Sequence, residues 1–125
     1  MIPVFIRAYH AATAILGCRI VAFSAPTTSQ SIRQANAASG PLLGVSDRMG
    51  ADAGGMCDVH RSGLAAVQLG GTVAAGDPLT TDADGRAIKA VKPGTGAVQV
   101  IGSADQPGVA GDIIDVWLSQ SVIHS

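Results

Sequence analysis

The sequence predicts an all-β chain, a small barrel or sandwich with an extended N-terminal arm. Three observations lead there. Sixteen Gly and six Pro are spread along 125 residues, so turn signals recur at short intervals. The runs between them are brief and rich in Val, Ile, Leu and Ala, as strands are. Aromatic residues make up only 3% against 47% hydrophobic, which leaves a thin core of small side chains. A chain of that kind gains stability from partner surfaces.

The elements follow in order. Ile2 to Ala8 reads as extended, and Pro3 fixes φ and bars a central sheet position. Residues 1–17 are therefore expected as an arm or edge strand, and residues 18–125 as the β domain. "HAATAIL" (residues 10–16) suits a helical turn by propensity, though it lacks a cap. Cys18 to Ser24 is β-branched and apolar, a strand. Ser31 to Ala38 reads as a strand or as one to two helical turns. Leu42 to Ser46 is a short buried strand, followed by the Gly- and Asp-rich loop "DRMGADAGG". Met56 to His60 and Leu64 to Leu69 read as two strands joined by "RSG", a hairpin turn with Gly63 at a position requiring φ > 0. Pro78 to Thr81, Arg86 to Lys92, Ala97 to Ile101 and Asp112 to Leu118 complete the set. In the last, alternation puts Ile114, Val116 and Leu118 on one face and Ile113, Asp115 and Trp117 on the other.

Part of the chain repeats. Leu42 to His60 lies over Gln99 to Trp117 once one loop residue is dropped. Gly44 then matches Gly102, Asp47 matches Asp105, and Gly55 to Val59 is shadowed by Asp112 to Val116. Such a pair suggests two similar β elements side by side.

The stretch "DPLTTDADGRAIKA" gathers Asp77, Asp82 and Asp84 ahead of Gly85. A calcium loop needs further ligands and a late bidentate Glu, but the next residues are Arg86, Ala87 and Ile88 and the chain has no Glu. The residues fit a hairpin turn instead, opened by Asp and closed by Gly. Ala75-Gly76-Asp77-Pro78 and Ala110-Gly111-Asp112-Ile113 use one further device twice, a Gly turn capped by Asp before a strand.

Chemistry-bearing patterns are sparse. Cys18 and Cys57 have no metal-type spacing and read as small buried hydrophobes. Strand alternation sets Cys57 and His60 on opposite faces, which disfavours a nucleophile–base pair. No G-x-S-x-G elbow or phosphate loop occurs. With a net charge of −1 and no basic cluster carrying aromatic rings, neither nucleic acid nor an acidic membrane is an expected partner. The N-terminus, interrupted by Arg7 and His10, does not read as a signal peptide, and no apolar run is long enough for a membrane helix. No catalytic residue, metal or cofactor is assigned.

The order of the pieces resembles a known family. From "LLGVSD" through "GGTVAAGDPLTTDADGRAIKA" and "VIGSA" to "AGDIIDVWL", the chain is similar to the small head decoration, or capsid cement, proteins of tailed bacteriophages. The resemblance covers Cys18 to Ser119. It implies a virion structural protein made in the host cytoplasm and bound to the outer surface of the head. There it would contact the major capsid protein and join neighbouring capsomers, itself a trimer or dimer. The interface residues expected under it are Ile2, Val4, Phe5, Ile6 and Arg7 of the arm, reaching a neighbouring chain by strand addition. Arg48 and Asp52 in the Gly-rich loop are expected to reach the capsid, and the sole Trp, Trp117, to anchor an interface. Deleting Met1 to Ala8 is then expected to spare the fold and weaken capsid binding. The competing reading is a free-standing β-barrel module that binds a small ligand or peptide.

Overall fold

The structure, a computed structural model, describes residues 5–24, 31–36, 42–91 and 97–124. Among the described residues nine strands follow one another: β1 Phe5–His10, β2 Ile20–Phe23, β3 Ile32–Gln34, β4 Leu42–Ser46, β5 Met56–Gln68, β6 Pro78–Thr81, β7 Ala87–Lys89, β8 Ala97–Ala104 and β9 Ile113–His124. They form one antiparallel sheet in the order β3-β2-β4-β5-β9-β8-β6-β7, with β1 on β5.

That order is a palindrome of two tandem units. The first unit runs from β1 to the first half of β5, and the second from the rest of β5 to β9. Ile6↔His60 through His10↔Met56 in the first recurs as Leu64↔Trp117 through Gln68↔Ile113 in the second. Ile20↔Val45 and Val21↔Gly44 recur as Pro78↔Ser103 and Leu79↔Gly102. Val45↔His60 and Ser46↔Val59 recur as Ser103↔Trp117 and Ala104↔Val116. Single bridges outside the strands match too: Ala11–Ile32 and Ile15–Ala51 answer Leu69–Ala87 and Val73–Gly108. The repeat seen in the sequence between Leu42 and Trp117 is thus one part of a duplication that spans both units.

The two cores repeat as well. Tyr9, Ala11, Ile15, Val21, Ile32, Leu43, Cys57 and Val59 fill the first. Val67, Leu69, Val73, Leu79, Ala87, Ile101, Ile114 and Val116 take the same places in the second. The second core also receives Ile20, Ala22, Leu42 and Val45 from the opposite face of β2 and β4. Those strands are consequently buried on both sides: Ile20 and Val21, adjacent in sequence, are both fully buried, and all five residues of β4 are buried. At about 1.5–3 kcal/mol for each fully buried aliphatic side chain, this shared layer is what locks one unit to the other.

The sheet is a sandwich-like fold and does not close into a barrel. Closure requires the end strands to pair. Here β3 and β7 end the path, each only three residues long. Each curls over its own unit's core instead, making one parallel bridge to the residue just after that unit's first strand, Ala11 or Leu69.

Two further expectations are corrected. "RSG" makes no hairpin; β5 runs through it for 13 residues, with Gly63 at φ 82° inside the strand. Each half of β5 finds better partners than the other half would be: β1 and β4 for the first, β9 for the second. "HAATAIL" makes no helical turn, because the N–H groups of Ala11, Ala12 and Ile15 go to Gly55, Ile32 and Ala51 while Ala11 and Ile15 enter the core. Of the arm or edge strand expected at the N-terminus, Phe5–His10 takes the second form, a strand paired along β5.

Candidate interaction surfaces

The carboxylates of residues 77–84 are engaged as turn and clasp. Asp82 Oδ1 accepts the N–H groups of Asp84 (2.8 Å) and Arg86 (2.9 Å), and its Oδ2 accepts from Arg86 Nε at 3.1 Å. Gly85 closes the turn at φ 77°. The tip of this hairpin then grips the first unit. Gly85 O accepts the Ile20 N–H (2.7 Å), and Asp84 O accepts from Arg19 Nη1 (3.0 Å) and from Gln34 Nε2. Asp77 and Asp112 cap their turns in the same way: Asp77 Oδ2 accepts the Ala74 N–H at 2.9 Å, and Asp112 Oδ2 the Val109 N–H at 3.0 Å. The preceding Gly76 and Gly111 have φ 88° and 93°.

Arg19 makes the second clasp, donating through Nη2 to Gln68 Oε1 at 2.6 Å. Beside it Gln68 N–H donates to Cys18 O at 2.9 Å. Cys18, Asp47, Arg48 and His60 of the first unit and Leu64 and Ala66 of the second line a cavity of about 150 Å³ there. Burial pushes the Cys18 thiol above its ordinary range. His60 Nε2 lies 3.4 Å from Asp47 Oδ1. The matching pair in the second unit is Trp117 and Asp105, with Nε1 donating to Oδ1 at 2.9 Å. Cys57 and Val59 are buried while Asp58 and His60 face outward, so Cys57 and His60 do lie on opposite faces of β5.

The expected interface residues are distributed over several surfaces. Ile2 and Val4 lie outside the described residues. Phe5 and Arg7 take backbone places opposite Ser62 and Val59. Ile6, 51% exposed, stands across from His60 on the outer face. Trp117, 42% exposed, stands across from Leu64 on the equivalent face of the second unit. Arg48 and Asp52 are both exposed, but they border different cavities. Asp52 edges a groove of about 300 Å³ with Leu16, Met49 and Ala51.

Sequence reasoning missed the apolar side chains around that groove. Met49 is 88% exposed and Leu16 57%. Met56 and Ile113, another exposed pair, hold equivalent places at the start of β5 and β9. The repeat itself carried that signal, since the two residues take the same place in the segment that the copies share.

A family model for phage cement proteins matches residues 7–118, through both tandem units. The chain belongs to the phage cement protein family. It is a structural protein of the phage virion, associated with the capsid. Among solved structures it is similar to the N base of head fiber gp8.5 of bacteriophage phi29. The TM-score is 0.66 at 23% identity, over 94% of this chain and 95% of that one. At that identity the likeness speaks for the fold. No curated protein matches the chain significantly.

Proposed function

We propose that this cement protein binds the outer surface of the assembled head, contacts the major capsid protein and ties neighbouring capsomers together as a homo-oligomer, a trimer or a dimer. It would be made in the host cytoplasm and join the head there. The observation that carries the reading is the family match over residues 7–118, which takes in both units and the clasps between them. The solved relative, named as the base of a head fibre, is a protein of the same setting.

The surface chemistry supports it. Charged residues are only 14%, and large apolar side chains, among them Leu16, Met49, Met56, Ile113 and Trp117, stand exposed at several places. Where such side chains stand together, as Leu16 and Met49 do along one groove, they suit a surface that is covered in an assembly. Met49 and Leu16, with Asp52 at their margin and Arg48 at the neighbouring cavity, offer a face for the capsid. Phe5, Ile6 and Arg7 on β1 offer a sheet edge for a neighbouring chain, a contact in which Ile2 and Val4 are proposed to share. Many identical contacts add by multivalency, so each can be modest. Cementing is tested by heating DNA-filled heads with and without the bound protein. Decorated heads should retain DNA to higher temperature; release at the same temperature would reject the cementing role.

A further inference from the structure

We propose that the chain joins a second copy head to tail, through a joint that repeats between molecules the clasp already present between its own two units. The inference rests on the reading that the protein self-associates, and it names the surfaces.

Inside one chain, the rim at Cys18 and Arg19 takes the second half of β5. Cys18 O accepts the Gln68 N–H at 2.9 Å, Arg19 Nη2 donates to Gln68 Oε1 at 2.6 Å, and Cys18 is left only 5% exposed. In the duplication, Gly76 and Asp77 hold the places of Cys18 and Arg19. The places of Leu64 and Gln68 belong to Ile6 and His10 of β1, because β1 pairs with β5 as the second half of β5 pairs with β9. Among the described residues, Gly76 on one half of this second clasp and Ala8 and His10 on the other are exposed, while the Asp77 side chain is 20% exposed. Gly76 has nothing within 4 Å of where a Cβ would stand. The Ala11 N–H turns toward β5, to Gly55 O at 2.8 Å, so by strand alternation the His10 N–H turns to the open edge.

The chemistry of the pair is complementary. Arg19 donates to Gln68 within the chain; at the intermolecular joint the donor is the ring of the partner's His10 and the acceptor is Asp77. The His10 ring meets Ser31 Oγ through Nδ1 at 3.4 Å, so Nε2 is the ring nitrogen assigned to the joint. Asp77 Oδ2 is held by the Ala74 N–H, and Oδ1, 4.0 Å from Lys89 Nζ, is the oxygen left to accept from His10. The partner's Ile6 would close over Trp117, as Leu64 lies beside the His60 rim. The two surfaces differ, so the joint is heterologous, and successive joints close into a ring when the rotation permits.

The test mixes two full-length proteins, one carrying His10→Cys and the other Asp77→Cys, under mild oxidation, both free and on undecorated heads. Cys18 and Cys57 are buried and do not compete. The joint predicts a disulfide-linked dimer of the two variants in the mixture and none from either alone. Absence of the mixed dimer in both settings, or an Asp77→Cys homodimer, overturns it. Should Asp77→Cys fail to fold, Ala8→Cys with Asp105→Cys spans the same joint. Head binding without the mixed link removes the joint and leaves the capsid reading intact. The link without head binding does the reverse.

Discussion

Cys18 and Gly76 occupy the same place in the two units, and both take up left-handed backbone, at φ 56° and 88°. Gly does so without strain, whereas a residue with a Cβ pays about 1–2 kcal/mol. Cys18→Gly is therefore expected to relieve strain while losing a small buried side chain, leaving stability within about 1 kcal/mol of the parent. Gly76→Ala meets no neighbour and should cost only the strain, about 1 kcal/mol. Urea unfolding of both variants checks the pair. A Cys18→Gly loss well beyond 2 kcal/mol would show that the thiol, not the backbone, decides this site.

Gly44 and Gly102 form a second equivalent pair, each at a close crossing of two strands. A Cβ at Gly102 would collide with the carbonyl oxygen of Trp117, and one at Gly44 with that of His60. Either Gly→Ala change should cost about 3 kcal/mol, since backbone must shift. Gly71→Ala, where the nearest atom is a side-chain methyl at 3.7 Å, should stay within about 0.5 kcal/mol. Equal melting temperatures for the Gly102 and Gly71 variants would contradict this.

Asp82 holds the hairpin tip that clasps the first unit. Asp82→Ala removes an acceptor of three hydrogen bonds and is expected to lower stability by about 2 kcal/mol. Millimolar calcium should leave the melting temperature of the parent unchanged. A calcium-dependent rise that Asp82→Ala abolishes would restore the metal reading.

Burial first, then Asp58 and Asp47, push the Cys57 thiol up to about 11 from 9.0. Below pH 9 both folded and unfolded chains keep this proton, and the contribution is fully present. As pH rises from 9 toward 11 the unfolded chain loses it first, so stability falls across that window. Replacing Cys57 by Ala should flatten the fall in urea midpoints between pH 9 and 11. The same slope in the variant would exclude this thiol as its source.

Much of the fold was legible where a strand's signal is local. Leu42–Ser46 and Pro78–Thr81 match their sequence-based bounds because a turn residue sits at each end. Gly63 misled because φ > 0 suits a hairpin and an irregularity inside a strand equally; only the change of partners along β5 decides between them. The duplication was half visible, since its core places are filled by unlike residues such as Tyr9 and Val67, or Cys57 and Ile114. Alternation alone set Trp117 on the face opposite Ile114 and Val116, but its equivalence to His60 and its neighbour Leu64 depend on register across β5 and β9. Leu16 and Met49 come together only after the loops on either side of β2 and β4 are folded.

The central claim is that this chain binds phage heads as a structural component. Sedimentation of the purified protein with undecorated heads, with the bound copies counted by mass, tests it most directly. The predicted result is co-sedimentation that saturates at a fixed number of copies per capsomer. Protein that stays in the supernatant at every concentration, with its tandem fold intact, would contradict it.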